Sequence, residues 1–234
     1  MDYYRLVDTN GEPENTIIDT NTAQISPRMM RSVRLAPLFN LLLSFWTESG
    51  VQIGTAFNSM LYLQDYLPEV QDIEKQGLTE VPTHLLNPKE KMQVVSLDML
   101  KTIMLPYYDY YNETGSSLEL EDLPCIWEYL WEVVRKSFFQ SKTSRFNSIF
   151  LFDNKTTTEI FQKENMFLQK ALCSVEIIET SNMQQYDMNW LDQVPTDCTY
   201  SEMHQYAANY WSGLLTDSPT FEYLFSGKYR LHRV

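Results

Sequence analysis

The C-terminal stretch Phe221-Glu-Tyr-Leu-Phe-Ser-Gly-Lys-Tyr-Arg-Leu-His-Arg-Val234 decides the fold of this chain. Apolar and aromatic residues occupy nearly every second position, which is typical of a β-strand. The glycine in its middle predicts a turn between two strands. Glu222 stands at the head of the first strand, and a carboxylate in an otherwise apolar strand is expensive to bury. This cost marks Glu222 as a candidate functional residue.

The remaining sequence predicts an α+β protein. Residues 1–8 alternate as a strand and carry Tyr4 and Arg5. From Ser26-Pro27, where serine can cap a helix and proline can occupy its first position, the pattern turns mainly helical as far as Lys136. A clear helix start at residue 87 predicts a helix over 87–105. After residue 140 strands return, at 145–152 and 171–178, with a helix over 155–170 between them.

Composition narrows the functional classes. The 234 residues carry a net charge of −13, from 31 acidic and 18 basic side chains. Because binding to the phosphate backbone of nucleic acids depends on lysine and arginine, this balance argues against a nucleic-acid role for the whole surface. Three widely spaced cysteines and three histidines make a disulfide framework or a metal site improbable and suit a reducing cytoplasm. The longest apolar run, residues 38–46, is too short to span a bilayer.

Four segments together resemble the ADP-ribosyltransferase-like superfamily, and in particular its compact bacterial branches that include nucleic-acid-modifying toxins of toxin–antitoxin pairs. They are the opening strand with Tyr3-Tyr4-Arg5, the stretch Ser144 to Phe152, Val175 to Ile178 followed by Asp187 to Trp190, and Ala207 to Gly213 followed by Phe221 to Gly227. The resemblance covers residues 1–8 and about 140–234. No Glu-x-Glu or Gln-x-Glu precedes the terminal strand and no Ser-Thr-Ser triplet is present, so the acceptor stays open.

This resemblance implies a split mixed sheet with a large helical insertion after the first strand. It assigns residues 1–26 and 140–234 to an ADP-ribosyltransferase-like core and residues 27–139 to the insertion. The implied activity is that of a glycosyltransferase that cleaves NAD as a substrate and moves ADP-ribose to a protein or nucleic-acid acceptor. The implied setting is a cytoplasmic toxin or an effector in phage–host conflict, with a protein regulator or antitoxin as a further partner. No metal is implied.

The resemblance also suggests roles for individual residues. Glu222 would be the catalytic carboxylate, since it could stabilise the positive charge that develops on the nicotinamide ribose. Arg5 would hold a phosphate or the carboxamide of NAD, with Arg145 as a second candidate. The last three candidates are Ser148, for a hydrogen bond to the nicotinamide amide, and Tyr4 and Phe150, for stacking on its ring.

Two alternatives remain open at this point. The same fold could serve as a non-catalytic binding module, as in an antitoxin or inhibitor, or water could replace the acceptor in an NAD glycohydrolase. The pairing of Arg5 with Glu222 in one cleft is the feature on which the enzyme hypothesis depends. If these residues serve the structure alone, Glu222 and Arg5 are ordinary charged residues of strands, and Tyr210 and Trp211 lie in the core. Asp187 with Asn189 then forms an Asx turn.

Overall fold

A computed structural model describes residues 2–9, 11–22, 27–50, 52–54, 57, 61, 75–77, 80–82, 94–96, 109–115, 117–164, 167 and 169–234. In chain order its strands and helices are β1 (Tyr3–Asp8), β2 (Ile18–Asp19), α1 (Pro27–Ser49), β3 (Glu80–Pro82), β4 (Val94–Ser96), α2 (Leu123–Phe138), β5 (Ile149–Leu151), α3 (Lys155–Glu164), β6 (Lys170–Asp187), α4 (Asn189–Asp192), α5 (Tyr200–Ser212) and β7 (Phe221–Arg233). The fold is α+β, as the sequence predicted.

The long strands β6 and β7 form the centre of a five-stranded sheet. They pair antiparallel from Cys173 opposite Arg233 to Asp187 opposite Phe221. β1 lies on the far side of β6, while β5 and β2 both pair with β7 on its other side. Every pairing among the described strands is antiparallel, so the expectation of a mixed sheet is wrong for this part of the chain.

The sheet curls until its first strand meets β5. Tyr4 and Phe152 exchange both backbone hydrogen bonds, with N···O distances of 2.7 and 2.9 Å. The strands β1, β6, β7 and β5 therefore form a closed circuit. Among the described residues, its buried apolar cluster consists of strand residues, namely Val7, Ile149, Leu151, Cys173, Val175, Tyr223, Phe225, Tyr229 and Leu231. Because these residues come from all four strands of the circuit, their side chains face its inside.

β7 runs without interruption through Gly227, so the predicted turn at this glycine is wrong. Gly227 has φ +147°, and a β-carbon on it would lie 2.0 Å from the carbonyl oxygen of Glu179. On β6 the register shifts between Ile177 and Glu179 and again between Thr180 and Asn182. The glycine thus lets two backbones approach closely beside these irregularities.

The other face of the β6–β7 ladder carries a second buried group of large side chains. Tyr186 stacks on Tyr210 of α5 at 4.6 Å between ring centroids, and its ring meets that of Trp211 edge-on. The indole nitrogen of Trp211 donates to the carbonyl of Trp131 in α2 at 3.0 Å. The prediction that Tyr210 and Trp211 lie in the core is confirmed, because neither is accessible to solvent.

By its internal contacts the chain divides into two compact units. The first comprises residues 1–26, 130–194 and 204–234 and contains the five-stranded sheet, and the second comprises 27–129 and 195–203. In the second unit Arg31 of α1 makes a two-bonded ion pair with the buried Asp122, at 2.6 Å for each hydrogen bond. The helix predicted over 87–105 lies outside the described residues except for 94–96, which form β4 instead.

Local capping chemistry follows the sequence closely. α1 begins at Pro27, as predicted. The backbone N–H of Thr199 donates to the Glu202 carboxylate at 2.7 Å, and the N–H of Glu202 donates to the Thr199 hydroxyl at 3.3 Å, which forms a capping box at the start of α5. Gly213 follows the helix at φ +80°. Among the described residues, none of the helices combines the length and apolar character that crossing a membrane requires.

Candidate functional site

Glu222 lies at the centre of a buried polar triad. One carboxylate oxygen, Oε1, accepts from Nη1 of Arg145 at 2.5 Å and from the Tyr210 hydroxyl at 2.7 Å. The same Nη1 donates to the Tyr210 oxygen at 2.8 Å. The exposed fraction of the side chain is 7% for Arg145 and 6% for Glu222. A carboxylate this deep is tolerated because a guanidinium and a hydroxyl donate to it.

Each member of this triad comes from a different element. Glu222 is the second residue of β7, Tyr210 belongs to the last turn of α5, and Arg145 opens a 3₁₀ turn over Arg145–Asn147. The Ser144 side chain caps that turn by accepting from the N–H of Phe146 at 3.1 Å. The guanidinium carbon of Arg145 also lies 4.6 Å from the centre of the Phe150 ring, a cation–π contact.

Tyr210 remains a hydrogen-bond donor at neutral pH. Burial raises the pKa of its hydroxyl well above the ordinary value, and the Glu222 charge adds to the increase, while Arg145 opposes it. A protonated phenol donates to the carboxylate and accepts from the guanidinium. The triad is therefore fully connected, which gives it a defined geometry.

Asp187 holds the loop that precedes Glu222 in the chain. Its buried carboxylate accepts from the backbone N–H of Thr216, Thr220 and Asn189 and from the Thr216 hydroxyl, at 2.6 to 3.1 Å. Burial alone would raise the pKa of Asp187, but these hydrogen bonds together lower it. The contact with Asn189 confirms the predicted Asx turn. Asp187 thereby ties the end of β6 to the loop that leads into β7.

Asp192 is an exposed acidic group in the field of the triad. Desolvation by neighbouring protein atoms raises the pKa of its carboxyl to about 6, although part of the residue is exposed to solvent. The negative charge of Glu222 adds to this increase, and the positive charge of Arg145 opposes it. Asp192 ends α4, the short helix that follows the Asx turn. The site thus combines a buried carboxylate bound by Arg145 with an exposed carboxyl that titrates nearer to neutrality.

The structure does not bring Arg5 to Glu222, so the expected pairing of these residues in one cleft is wrong. Nη1 of Arg5 donates to Glu12 at 2.5 Å and to the Tyr229 hydroxyl at 2.7 Å, and that hydroxyl donates to Glu12 at 2.5 Å. Tyr229 belongs to the buried cluster inside the circuit of strands. Since side chains alternate along a strand, Tyr229 and Glu222, seven residues apart on β7, lie on opposite faces.

Of the remaining candidate residues from the sequence, some lie at the triad and others lie elsewhere. Phe150 reaches the triad through Arg145. The Ser148 hydroxyl donates to the carbonyl of Ser144 at 2.7 Å, which makes it part of the local turn. Tyr4 lines a different open groove of about 710 Å³, together with Asp2, Tyr3, Ser174, Val175, Glu176, Ile177, His232 and Val234. The structure therefore joins three of the six candidates, Arg145, Phe150 and Glu222.

Sequence reasoning missed two participants, Tyr210 and Glu12. Tyr210 looked like an ordinary core residue, and Glu12 follows the first predicted strand, outside any predicted element. The available signal for Tyr210 was its phenol, because a buried tyrosine hydroxyl needs a hydrogen-bond partner. No comparable signal in the sequence connects Glu12 with Arg5.

Together the curled antiparallel sheet and its buried Arg–Glu–Tyr triad define an α+β protein with a polar centre on the outer face of its last strand. Residues 57–233, more than half of the chain, match the family described as "Protein of unknown function (DUF2441)". The chain therefore belongs to the DUF2441 family. No curated protein sequence matches it.

Proposed function

We propose that this protein is an ADP-ribosyltransferase that uses Glu222 to cleave NAD. The observation that supports the proposal is the Glu222 carboxylate at the head of the last strand, with Arg145 and Tyr210 bound to it. In this revised site Arg145 takes the part that the sequence had suggested first for Arg5. Phe150, in contact with the Arg145 guanidinium, supplies the aromatic surface.

The proposed reaction breaks the bond between C1′ of the nicotinamide ribose and the ring nitrogen, and nicotinamide leaves with the bonding electrons. Positive charge develops on the ribose, where a carboxylate stabilises it. An oxygen or nitrogen of the acceptor then forms the new bond to C1′ and releases its proton. The acceptor is a protein or a nucleic acid, and the strongly acidic chain favours a protein. A toxin or phage-conflict role in the cytoplasm belongs to the same proposal.

For this chemistry the Arg145 guanidinium must shift from Glu222 toward the phosphates of NAD, since the Glu222 side chain is only 6% exposed. A guanidinium suits this second partner because its planar fork fits phosphate oxygens as well as carboxylates. The new ion pair with phosphate would replace the one lost with Glu222.

The burial of Glu222 also favours a second candidate, a non-catalytic binding module of the same fold. A carboxylate satisfied by Arg145 and Tyr210 can serve the structure alone. In that case the surface of the protein would bind a macromolecular partner, and NAD would not be consumed.

Release of nicotinamide from NAD by the purified protein distinguishes the two candidates. We expect turnover by the wild type and a loss of at least about 100-fold in Glu222→Gln, the magnitude typical of removing one electrostatic stabiliser of a transition state. Glu179→Gln is the matched control, because Glu179 lies on the neighbouring strand in an exposed ion pair with Lys228. Tyr210→Phe keeps the ring and removes only the hydroxyl, so it tests the site with less disturbance.

The fate of the ADP-ribose separates transfer from hydrolysis. Labelled NAD is incubated with the protein and a cell lysate, and the products are digested with protease or nuclease. Label in macromolecules that one of these enzymes releases identifies the acceptor class. Label found only in free ADP-ribose would mean that water is the acceptor and that the protein is a glycohydrolase.

A further inference from the structure

Beside Glu222 and Asp187, a third buried acidic residue of the sheet-containing unit is Glu132 in α2, which binds Arg135 one turn later. Nε and Nη2 of Arg135 donate to its two carboxylate oxygens at 2.9 and 2.8 Å. The exposed fractions of the two side chains are 12% for Arg135 and 5% for Glu132. This parallel, two-bonded geometry fixes the guanidinium plane more firmly than a single contact would.

The third nitrogen of Arg135 reaches beyond the helix. Nη1 donates to the carbonyl of Lys142 at 2.9 Å and to that of Gln140 at 3.3 Å. Arg135 therefore ties the end of α2 to the loop over residues 139–144. This loop leads directly to Arg145.

A second anchor holds the same loop from the side of the sheet. The backbone N–H of Thr143 donates to the side-chain oxygen of Gln184 in β6 at 3.0 Å. That oxygen also accepts from the Tyr186 hydroxyl at 2.5 Å, and the Tyr186 ring stacks on Tyr210. Two residues after Thr143, the chain presents Arg145 to Glu222.

We infer that Glu132 and Arg135 are positioning residues that set the place of the Arg145 guanidinium at Glu222 by fixing the loop over 139–144. Arg135 does not touch the triad. It acts on the backbone that carries Arg145, with Gln184 as the opposing anchor. The effect on NAD cleavage rests on the function proposed above, whereas the mechanical link between Arg135 and the triad does not.

The test combines Arg135→Lys with Tyr210→Phe in a double-mutant cycle of unfolding equilibria in denaturant. Lysine keeps the charge and removes the fork that holds the two carbonyls. If Arg135 positions Arg145, the triad is already loosened in Arg135→Lys. The effect of Tyr210→Phe on the unfolding constant should then shrink by about fivefold or more, whereas independent sites add to within about twofold.

Arg230→Lys is the matched control, because Arg230 forms an exposed ion pair with Glu176 at 2.6 Å on the same sheet. It should combine additively with Tyr210→Phe. Should Arg135→Lys not fold, Gln184→Met, which keeps the side-chain size and removes the anchor at Thr143, takes its place in the cycle with the same expected coupling.

Kinetics supply a second readout. Arg135→Lys should lower kcat for nicotinamide release about tenfold or more, because a displaced Arg145 would hold NAD in the wrong position relative to Glu222, while Arg230→Lys leaves it unchanged. Additive unfolding constants would overturn the inference whatever the kinetics show. A wild-type protein that releases no nicotinamide would refute the proposed function alone, since the cycle still decides the role of Arg135.

Discussion

At the scale of single residues, the central feature is a charge pair that folding has removed from water. Arg145 and Glu222 are both more than nine-tenths buried. Taking two charges out of water is costly, and their attraction offsets that cost only while both are present. The presence of the pair is therefore weak evidence for net stability, whereas the loss of one partner alone is costly.

The first prediction concerns the removal of one or both partners. Arg145→Met alone should lower the free energy of unfolding by about 3–5 kcal/mol, because it leaves a buried carboxylate without its cation. Arg145→Met combined with Glu222→Leu should recover most of this loss. Chemical denaturation of the three proteins measures it, and a double variant as unstable as the sum of the single ones would contradict the picture of a buried pair.

The second prediction uses Asp192, whose pKa is raised to about 6 in the folded protein. A carboxyl with a raised pKa supports the folded state below its unfolded pKa of about 4, and this support is lost as the pH rises through 6. Glu222, Glu164 and Asp187 oppose its ionisation, and Arg145 favours it. Because Asp192 is exposed, solvent screening will reduce the effect.

Asp192→Asn should accordingly raise the melting temperature relative to wild type at pH 7.5, and the difference should disappear near pH 4. Thermal melts of both proteins between pH 4 and 8 measure this. A difference that does not depend on pH would show that Asp192 titrates as an ordinary surface group.

At the scale of elements, β7 is a single strand only because residue 227 is glycine. We predict that Gly227→Ala lowers the free energy of unfolding by about 3 kcal/mol or more, since it combines an unfavourable φ with a clash against the Glu179 carbonyl. Gly213→Ala is the matched control. It has a positive φ but no atom within 4 Å of the added carbon, so a loss of about 1–2 kcal/mol is expected. Equal losses would contradict the close approach of the two strands.

The elements also show which features of the fold can be predicted from the sequence. The start of α1, the capping box of α5, its glycine end and the Asx turn at Asp187 were predictable, because each depends on residues within about four positions. The glycine at 227 was misread, since a turn and a close strand contact leave the same local signal. Only the partner strand, nearly fifty residues away, distinguishes them.

In the candidate site, too, a feature visible in the local sequence was predictable, whereas a partner distant in the sequence was not. Glu222 was found because a carboxylate inside an apolar strand is unusual in any context. Its cation could not be chosen from the sequence, because Arg5 and Arg145 both lie in segments predicted as strands with aromatic residues. The choice depends on which face of the sheet each side chain occupies, and this follows from strand register. Arg5 and Glu222 therefore belong to two triads of the same composition on opposite faces.

At the scale of the whole molecule, the sheet-containing unit is built around the closed circuit of strands. The amides of Tyr4 and Phe152 join β1 to β5. Hydrogen exchange should find both amides protected to a degree similar to the β6–β7 ladder, although they lie near strand ends. Rapid exchange at both positions, with a protected ladder, would mean that the sheet is open between β1 and β5.

The proposed function is tested most directly by the release of nicotinamide from NAD, followed in wild type, Glu222→Gln and Glu179→Gln at matched folded fractions. We expect turnover in wild type and Glu179→Gln and a loss of at least about 100-fold in Glu222→Gln. Equal turnover in all three would contradict the assignment of Glu222. No turnover in folded wild type would leave the triad as a structural centre of a binding module.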